Sequence, residues 1–155
     1  MENTENTETK AEAKTEDDVK KIEATRKRLN NMVSEIRDWN EQQFPDATLD
    51  GQLMKLEEEL KEFHHAEGKD RLKEIADIVI VCAGLRRWQS FVGFHILATV
   101  VNGAPQELVN ELLDAVDEKM AKNRARVWLK DGDGKYHHDV KLDEPANGNG
   151  EDTPA

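Results

Sequence analysis

The segment IADIVIVCAGL, residues 75–85, constrains the fold most, because it holds one charged residue in a chain of which 35% is charged. It belongs to a predicted helix that begins at Asp70, the expected N-cap, and runs to about Trp88. A helix that is apolar all round is normally buried on every side. The sequence therefore predicts a helix that packs against neighbours in all directions.

Two helices are predicted ahead of this segment, from apolar residues that recur at three- and four-residue steps. The first runs from about Asp17 to Gln43 and stops at Phe44-Pro45, because the residue before a proline avoids the helical conformation. Gly68 is expected to close the second helix. The apolar stripe of that second helix consists of Leu53, Leu56, Leu60 and Phe63.

Two helices are predicted after it. Residues Ser90 to Val101 form a short helix, with a strand as the less favoured alternative because no partner strand is evident. Pro105 suits the first position of a last helix that extends to about Leu129. The expected fold class is all-α, resembling a four-helix bundle with one additional short helix.

Both ends of the chain lack the apolar pattern of a folded core. Residues 1–17 are predicted to be a disordered acidic tail and residues 131–155 a largely flexible extension, which leaves one all-α domain over residues 18–130. The net charge of −11 disfavours a nucleic acid polymer as partner. Phosphate backbones are bound by clustered lysine and arginine, and the excess of acids over bases in this chain opposes such binding.

The cysteine usage and the hydropathy pattern bear on the compartment. Cys82, the only cysteine, lies in the apolar run. The protein is therefore expected to have no disulfide framework and to reside in a reducing compartment. The N-terminus shows no secretion signal, and the apolar segment FVGFHILATVV is shorter than the roughly 20 residues of a membrane span. We therefore expect a cytoplasmic protein with no membrane partner.

Two acids interrupt the apolar helix. Glu74 shares a face with Ile78, and Asp77 has apolar neighbours on the helical wheel, so both carboxylates should be partly buried. A lone buried carboxylate must pair, become protonated or bind a metal. Arg71 and Lys73 are nearby, but they precede the acids, which is the weaker orientation for a helical ion pair.

Further acids lie on the second helix. Its short link to the next helix predicts an antiparallel hairpin, which would bring Glu59 and Glu62 towards Glu74 and Asp77. Four carboxylates in one cleft repel each other unless divalent cations lie between them. All-oxygen ligation suits Mg²⁺, with Mn²⁺ as the alternative. A solvated charged face is the simpler interpretation of any single Glu-x-x-Glu pair.

One face of the last helix changes from apolar to polar along its length. In the simpler interpretation the polar residues emerge at the bundle surface. Beside a carboxylate and metal cluster, the same groups are those that triphosphate oxygens need. The residues of this face are Leu108, Leu112 and Ala115, followed by Lys119, Asn123 and Arg126.

The sequence EELKE at residues 58–62, followed by EIAD at 74–77, resembles the EExxE and ExxD motifs of the MazG-like all-α nucleoside triphosphate pyrophosphohydrolase superfamily. The segment KMAKNRARVW followed by DGDGKYHH is similar to the C-terminal part of its small members, which are often phage-encoded. The resemblance extends from about Ile36 to His138. Eleven residues separate Glu62 from Glu74, at or just below the short end of the usual spacing.

The resemblance implies Mg²⁺-dependent hydrolysis of nucleoside or deoxynucleoside triphosphates to the monophosphate and pyrophosphate, which controls the nucleotide pool. Glu58 would orient or deprotonate the attacking water. Trp39 would lie near the base site, with a core tryptophan as an equal alternative. The metal ligands would be Glu59, Glu62, Glu74 and Asp77, and the phosphate or sugar contacts would be Lys119, Asn123 and Arg126.

The resemblance also implies a homodimer or homotetramer, with FVGFHILATVV as a candidate for burial between subunits, in the cytoplasm or in a host cytoplasm if the protein is phage-encoded. Two alternatives remain open. Glu62-x-x-His65 would suit a di-iron carboxylate bundle, although the second copy of the motif is Glu-x-x-Asp. A non-enzymatic oligomeric helical regulator would keep the core without needing the carboxylates.

Overall fold

The computed structural model of the chain describes residues 16–130 and 136–138. The all-α class is confirmed, and the segment after Ser90 is a helix rather than a strand. The predicted tails, apart from residues 16, 17 and 136–138, lie outside the described residues, as does the DGDG segment. The helices are α1 (Glu16–Gln43), α2 (Leu49–His65), α3 (Asp70–Leu85), α4 (Phe91–Gly103) and α5 (Gln106–Ala125), and the strands are β1 (Trp128–Lys130) and β2 (Tyr136–His138).

Helix α3 is the centre of the fold. It packs against α1, α2, α4 and α5, as its all-round apolar sequence predicted. Ala76, Cys82, Ala83 and Leu85 are fully buried in it. A short 3₁₀ turn, Arg86–Trp88, continues the helix to the residue at which the sequence predicted its end.

Helices α2 and α3 form the predicted antiparallel hairpin. Near the start of α2, the side chain of Gln52 donates a hydrogen bond to the carbonyl of Val81 near the end of α3, at 3.3 Å. Helix α2 ends at His65, so Gly68 does not close it as predicted. Gly68 instead lies in the link with φ of 56°, a conformation that favours glycine.

The predicted boundaries of α3 and α5 need three corrections. Lys69, not Asp70, occupies the N-cap position of α3, and the Asp70 carboxylate pairs with Lys73 at 2.7 Å. Pro105 precedes α5 rather than starting it. Helix α5 ends at Ala125, short of the predicted Leu129.

The two strands were not predicted, because three-residue strands are too short to show apolar alternation. They pair antiparallel, with Trp128 opposite His138 and Lys130 opposite Tyr136. The chain leaves the helical conformation after Ala125, and the Trp128 ring packs against Phe44, with ring centroids 5.1 Å apart. Aromatic packing with α1 and the following loop therefore accounts for the early end of α5.

Helix α4 lies directly on α3 at Gly93. A Cβ atom at this position would lie 2.7 Å from the carbonyl oxygen of Cys82, so only glycine permits this approach. The opposite face of α4 is exposed, with Phe91 at 87% and Phe94 at 58%. No helix in the described residues is both long and apolar enough to cross a membrane.

Two residues of the predicted apolar stripes are on the surface. Leu60 and Leu108 are each 43% exposed, so the prediction that they face the core is wrong. Leu56 of α2 and Leu112 of α5 are buried as predicted. Each predicted stripe is wider than the face with which α2 or α5 contacts α3.

Candidate metal centre

Three carboxylates converge across the hairpin of α2 and α3. Glu59 and Glu62 lie one turn apart near the end of α2, and Glu74 lies in the second turn of α3. One oxygen from each carboxylate lies within 4.8 Å of the other two. The structure thus brings together three of the four predicted metal ligands, while their role as ligands stays a prediction.

Glu74 carries an oxygen that no group in the described residues satisfies. Its Oε2 atom is buried and has no hydrogen-bond partner. Burial raises the pKa of this carboxyl, the Lys119 charge opposes that rise, and the charges of Asp77, Glu62 and Glu59 add to it. Because a buried carboxylate without a partner is costly, this atom is the one that a bound cation would stabilise most directly.

Glu59 is the most buried acid of the group, only 5% exposed. The ammonium of Lys55 lies 2.8 Å from a Glu59 oxygen and 3.3 Å from one of Glu58. Burial lowers the pKa of Lys55, but the hydrogen bond and charge of Glu59 outweigh it and the pKa is raised overall. Lys55 was not among the predicted site residues, although its four-residue spacing from Glu59 is a signal in the sequence.

Asp77 lies outside the group of three. Its carboxylate accepts a hydrogen bond from the ammonium of Lys119 on α5, and both side chains are partly buried. The bases that precede it on α3 have other partners. Arg71 lies over the ring of Phe63, and Lys73 pairs with Asp70. The counter-charge of Asp77 therefore comes from a helix distant in sequence.

The chemistry of the donor set fits a hard divalent cation. The three converging groups are all carboxylates, and Mg²⁺ and Mn²⁺ prefer oxygen ligands. His65 does not join this group, and its Nδ1 lies 2.7 Å from the carbonyl oxygen of Lys61. The di-iron alternative, which needs histidine ligands, draws no support from this arrangement.

Asn123 and Arg126 lie at the end of α5, one and two turns beyond Lys119. The guanidinium of Arg126 donates to the side-chain oxygen of Asn123 at 2.8 Å, and the Trp128 indole donates to the Asn123 carbonyl. Trp39 packs edge-on against Trp128, with ring centroids 6.3 Å apart. Of the four predicted substrate contacts, Lys119 therefore lies at the carboxylates. Asn123, Arg126 and Trp39 lie at an aromatic cluster near the end of α5.

Trp39 belongs to that aromatic cluster and also to the edge of the core. Its ring lies 5.3 Å from that of Phe44, which in turn contacts Tyr136 at 4.7 Å. The indole is partly buried against the core residues. Both predicted interpretations of Trp39, base-site aromatic and core tryptophan, are compatible with this position at the rim.

A buried amide near the end of α1 was not predicted. Asn40 on α1 is 6% exposed, and its Oδ1 atom has no hydrogen-bond partner in the described structure. Gly84 makes room for it, since a Cβ there would lie 3.1 Å from the Asn40 amide nitrogen and 2.9 Å from that of Gln52. The signal was available, because Asn40 follows the buried Ile36 by one turn on the same face.

Glu58, the predicted general base, is on the solvent side of α2. Its side chain is 53% exposed and its described partner is Lys55. It therefore neighbours the buried Glu59 while remaining open to water and to a ligand. A cavity of about 490 Å³ lies elsewhere, between α1 and the start of α4, and none of the four carboxylates lines it. We therefore assign the candidate site from the converging carboxylate oxygens and not from the position of this cavity.

The chain matches no protein-family model, no curated protein and no solved structure. The geometry of the carboxylates therefore has to carry any functional conclusion by itself.

Proposed function

We propose that this protein is a Mg²⁺-dependent nucleoside triphosphate pyrophosphohydrolase of the MazG-like kind, which converts nucleoside or deoxynucleoside triphosphates to the monophosphate and pyrophosphate. The observation that carries the proposal is the convergence of Glu59, Glu62 and Glu74, whose oxygens approach within 4.8 Å. The buried Glu74 oxygen, which has no hydrogen-bond partner among the described residues, supports it further. Two packed helices hold three carboxylates together, and Lys55 pairs with only one of them, Glu59, so a bound cation would reduce the remaining repulsion.

Each polar residue has a role in this proposal. Glu59, Glu62, Glu74 and Asp77 would hold Mg²⁺, or Mn²⁺, which would supply positive charge against the phosphate oxygens and the leaving pyrophosphate. Glu58 orients the attacking water and accepts its proton. The water oxygen bonds to the α-phosphorus, the bond from that phosphorus to the bridging oxygen breaks, and pyrophosphate leaves.

The remaining predicted residues hold the substrate. Lys119, Asn123 and Arg126 bind phosphate or sugar oxygens, since they follow one face of α5 from the carboxylates outwards. Trp39, at the rim of the aromatic cluster, offers a ring face or edge to the base. The setting we propose is cytoplasmic, either in the cell of origin or in a host.

The partner that we propose besides the substrate is a second copy of the chain, in a homodimer or homotetramer. Helix α4 contains no charged residue, and its exposed face presents Phe91, Val92 and Phe94. Interface cores are depleted of charge and enriched in aromatic residues, which supports burial of this face. Sedimentation of the wild type and of Phe91→Ser tests this proposed oligomer. We expect oligomers of the wild type and their loss in the variant.

The activity is tested with the full chain, Mg²⁺ and a panel of nucleoside and deoxynucleoside triphosphates, with pyrophosphate as the measured product. In ¹⁸O-labelled water the label should appear in the monophosphate, which identifies attack at the α-phosphorus. Glu74→Gln should abolish release, whereas Glu111→Gln on the exposed face of α5 should not. Absence of pyrophosphate with every substrate would refute the proposal and favour a non-enzymatic regulator.

A further inference from the structure

Two lysines already neutralise part of the carboxylate cluster. Lys55 pairs with Glu58 and Glu59, and it lies on the same helix as both. Lys119 comes from α5 and pairs with Asp77 on α3. Two of the four expected carboxylate ligands, Glu59 and Asp77, are thus already in contact with an ammonium group.

Lys119 differs from Lys55 in what surrounds it. The side chain of Lys119 is 28% exposed and that of Asp77 is 20% exposed, so the pair is shielded from bulk water and salt. The Lys119 charge also reaches Glu74, where it opposes the rise in the pKa of that carboxyl. One ammonium therefore acts on two of the expected ligands.

Asp77 is also the expected ligand that does not join the other three. Glu59, Glu62 and Glu74 form the converging group, whereas the Asp77 carboxylate is held by Lys119. A carboxylate that already contacts an ammonium can bind a divalent ion only if the ammonium moves away or if the two cations share the carboxylate. The two cations compete for the same oxygens.

We propose that Lys119 is a placeholder cation: a divalent ion displaces its ammonium from Asp77, and the displaced ammonium then binds an oxyanion of the substrate. This inference rests on the proposed function and adds to it a link between metal and substrate binding. Asn123 lies four residues, about one turn, beyond Lys119 on α5, and its amide nitrogen can donate to an oxyanion while its side-chain oxygen accepts from Arg126. A phosphate group would therefore meet both residues.

The exchange makes metal and anion binding mutually favourable. Without the anion, a divalent ion must displace Lys119 from Asp77 and leave its charge without a partner. With the anion bound, the displaced ammonium gains a new partner, so the metal binds more tightly. Thermodynamic linkage requires the same factor in the reverse direction, from metal to anion.

The experiment measures Mn²⁺ binding to the full chain by the electron paramagnetic resonance signal of free Mn²⁺, with and without sulfate as a tetrahedral oxyanion. Lys119→Met should bind Mn²⁺ roughly tenfold more tightly than the wild type without sulfate, because one competing positive charge is gone. Sulfate should tighten Mn²⁺ binding several-fold in the wild type and leave Lys119→Met unchanged. Lys119→Arg keeps the charge and should stay close to the wild type.

Lys122→Met is the matched control. Lys122 lies on the exposed side of α5, where it pairs with Glu118, so its removal deletes the same charge without touching the cluster. Its Mn²⁺ affinity should stay within about twofold of the wild type. Lys119→Gln carries the same expectation as Lys119→Met and replaces it if circular dichroism shows that the methionine variant is unfolded.

Three outcomes contradict the proposal in distinguishable ways. Equal or weaker Mn²⁺ binding by Lys119→Met and Lys119→Gln overturns the placeholder role while the proposed function stands. A sulfate effect that survives in these variants overturns the link to the anion. A wild type and variants that all fail to bind Mn²⁺ overturn the metal centre and with it the proposed function.

Discussion

The ammonium of Lys55 lies 2.8 Å from a carboxylate oxygen of Glu59, and Glu59 is only 5% exposed. The two residues are one turn apart on α2, in the order that isolated helices favour less. The pair forms nevertheless, because the buried carboxylate has few other ways to be compensated. Tertiary burial, rather than helix preference, thus determines the partner of Lys55.

Lys55→Met should destabilise the metal-free protein by about 1–2 kcal/mol, since a mostly buried carboxylate is left without its described counter-charge. Urea unfolding followed by circular dichroism in the presence of a chelator measures this. Lys61→Met is the control, because Lys61 and Glu57 form a pair that is solvent-exposed on both sides. It should leave the unfolding free energy close to the wild-type value. Equal losses in the two variants would contradict the argument.

Glu58→Gln should lower kcat by roughly 10²–10⁴ while the Mn²⁺ affinity stays near the wild-type value, because Glu58 acts on the water and is not an expected ligand. Glu57→Gln is the matched control, since Glu57 is the preceding exposed acid and pairs with Lys61. It should retain full activity. The measurements are steady-state pyrophosphate release and metal titration. A loss of metal binding in Glu58→Gln would reassign this residue to the ligands.

The sequence was sufficient to predict the centre of this fold. The apolar segment at 75–85 required burial on every side, and α3 is in contact with all other helices. The short link around Gly68 required a hairpin, and Glu59, Glu62 and Glu74 are brought together by it. These features depend on local periodicity and on a short connection, both of which can be read from neighbouring residues.

The parts that could not be predicted depend on contacts between distant segments. Lys119 and Asp77 are separated by 42 residues, so their pairing follows from how α5 crosses α3. The early end of α5 follows from the packing of Trp128 against Phe44 and Trp39. No local pattern indicates either contact, because helix propensity continues through Arg126 without a breaking residue.

Gly93→Ala should destabilise the protein by about 1–3 kcal/mol, because the added methyl group would lie 2.7 Å from the Cys82 carbonyl oxygen, a backbone atom that cannot rotate away. Gly103→Ala, at the end of the same helix, is the control, since in the described structure no other element comes within 4 Å of the added Cβ. Urea unfolding of both variants checks the prediction. Similar stabilities for the two would mean that α4 can move away from α3 at little cost.

Cys82 should resist thiol reagents in the native protein. Burial raises the pKa of its thiol to about 12, and the thiolate is the reactive form. At about pH 8 an aromatic disulfide reagent should react on the timescale of unfolding, and at once in denaturant. The raised pKa also determines how the stability of the protein depends on pH. The unfolded chain, with an ordinary thiol pKa near 9, loses its proton first, so stability falls as pH rises from that value towards about 12.

Cys82→Ala removes this contribution and provides the comparison. Because Cys82 is fully buried, the variant should be less stable at neutral pH, by about 1 kcal/mol for the lost side-chain contacts. Between about pH 9 and 11 the wild type should lose stability more steeply than the variant, since the alanine chain has no thiol to ionise on unfolding. Urea unfolding across this range measures both slopes. Parallel slopes, or fast labelling of the native protein, would show that water reaches Cys82 between α3 and α4.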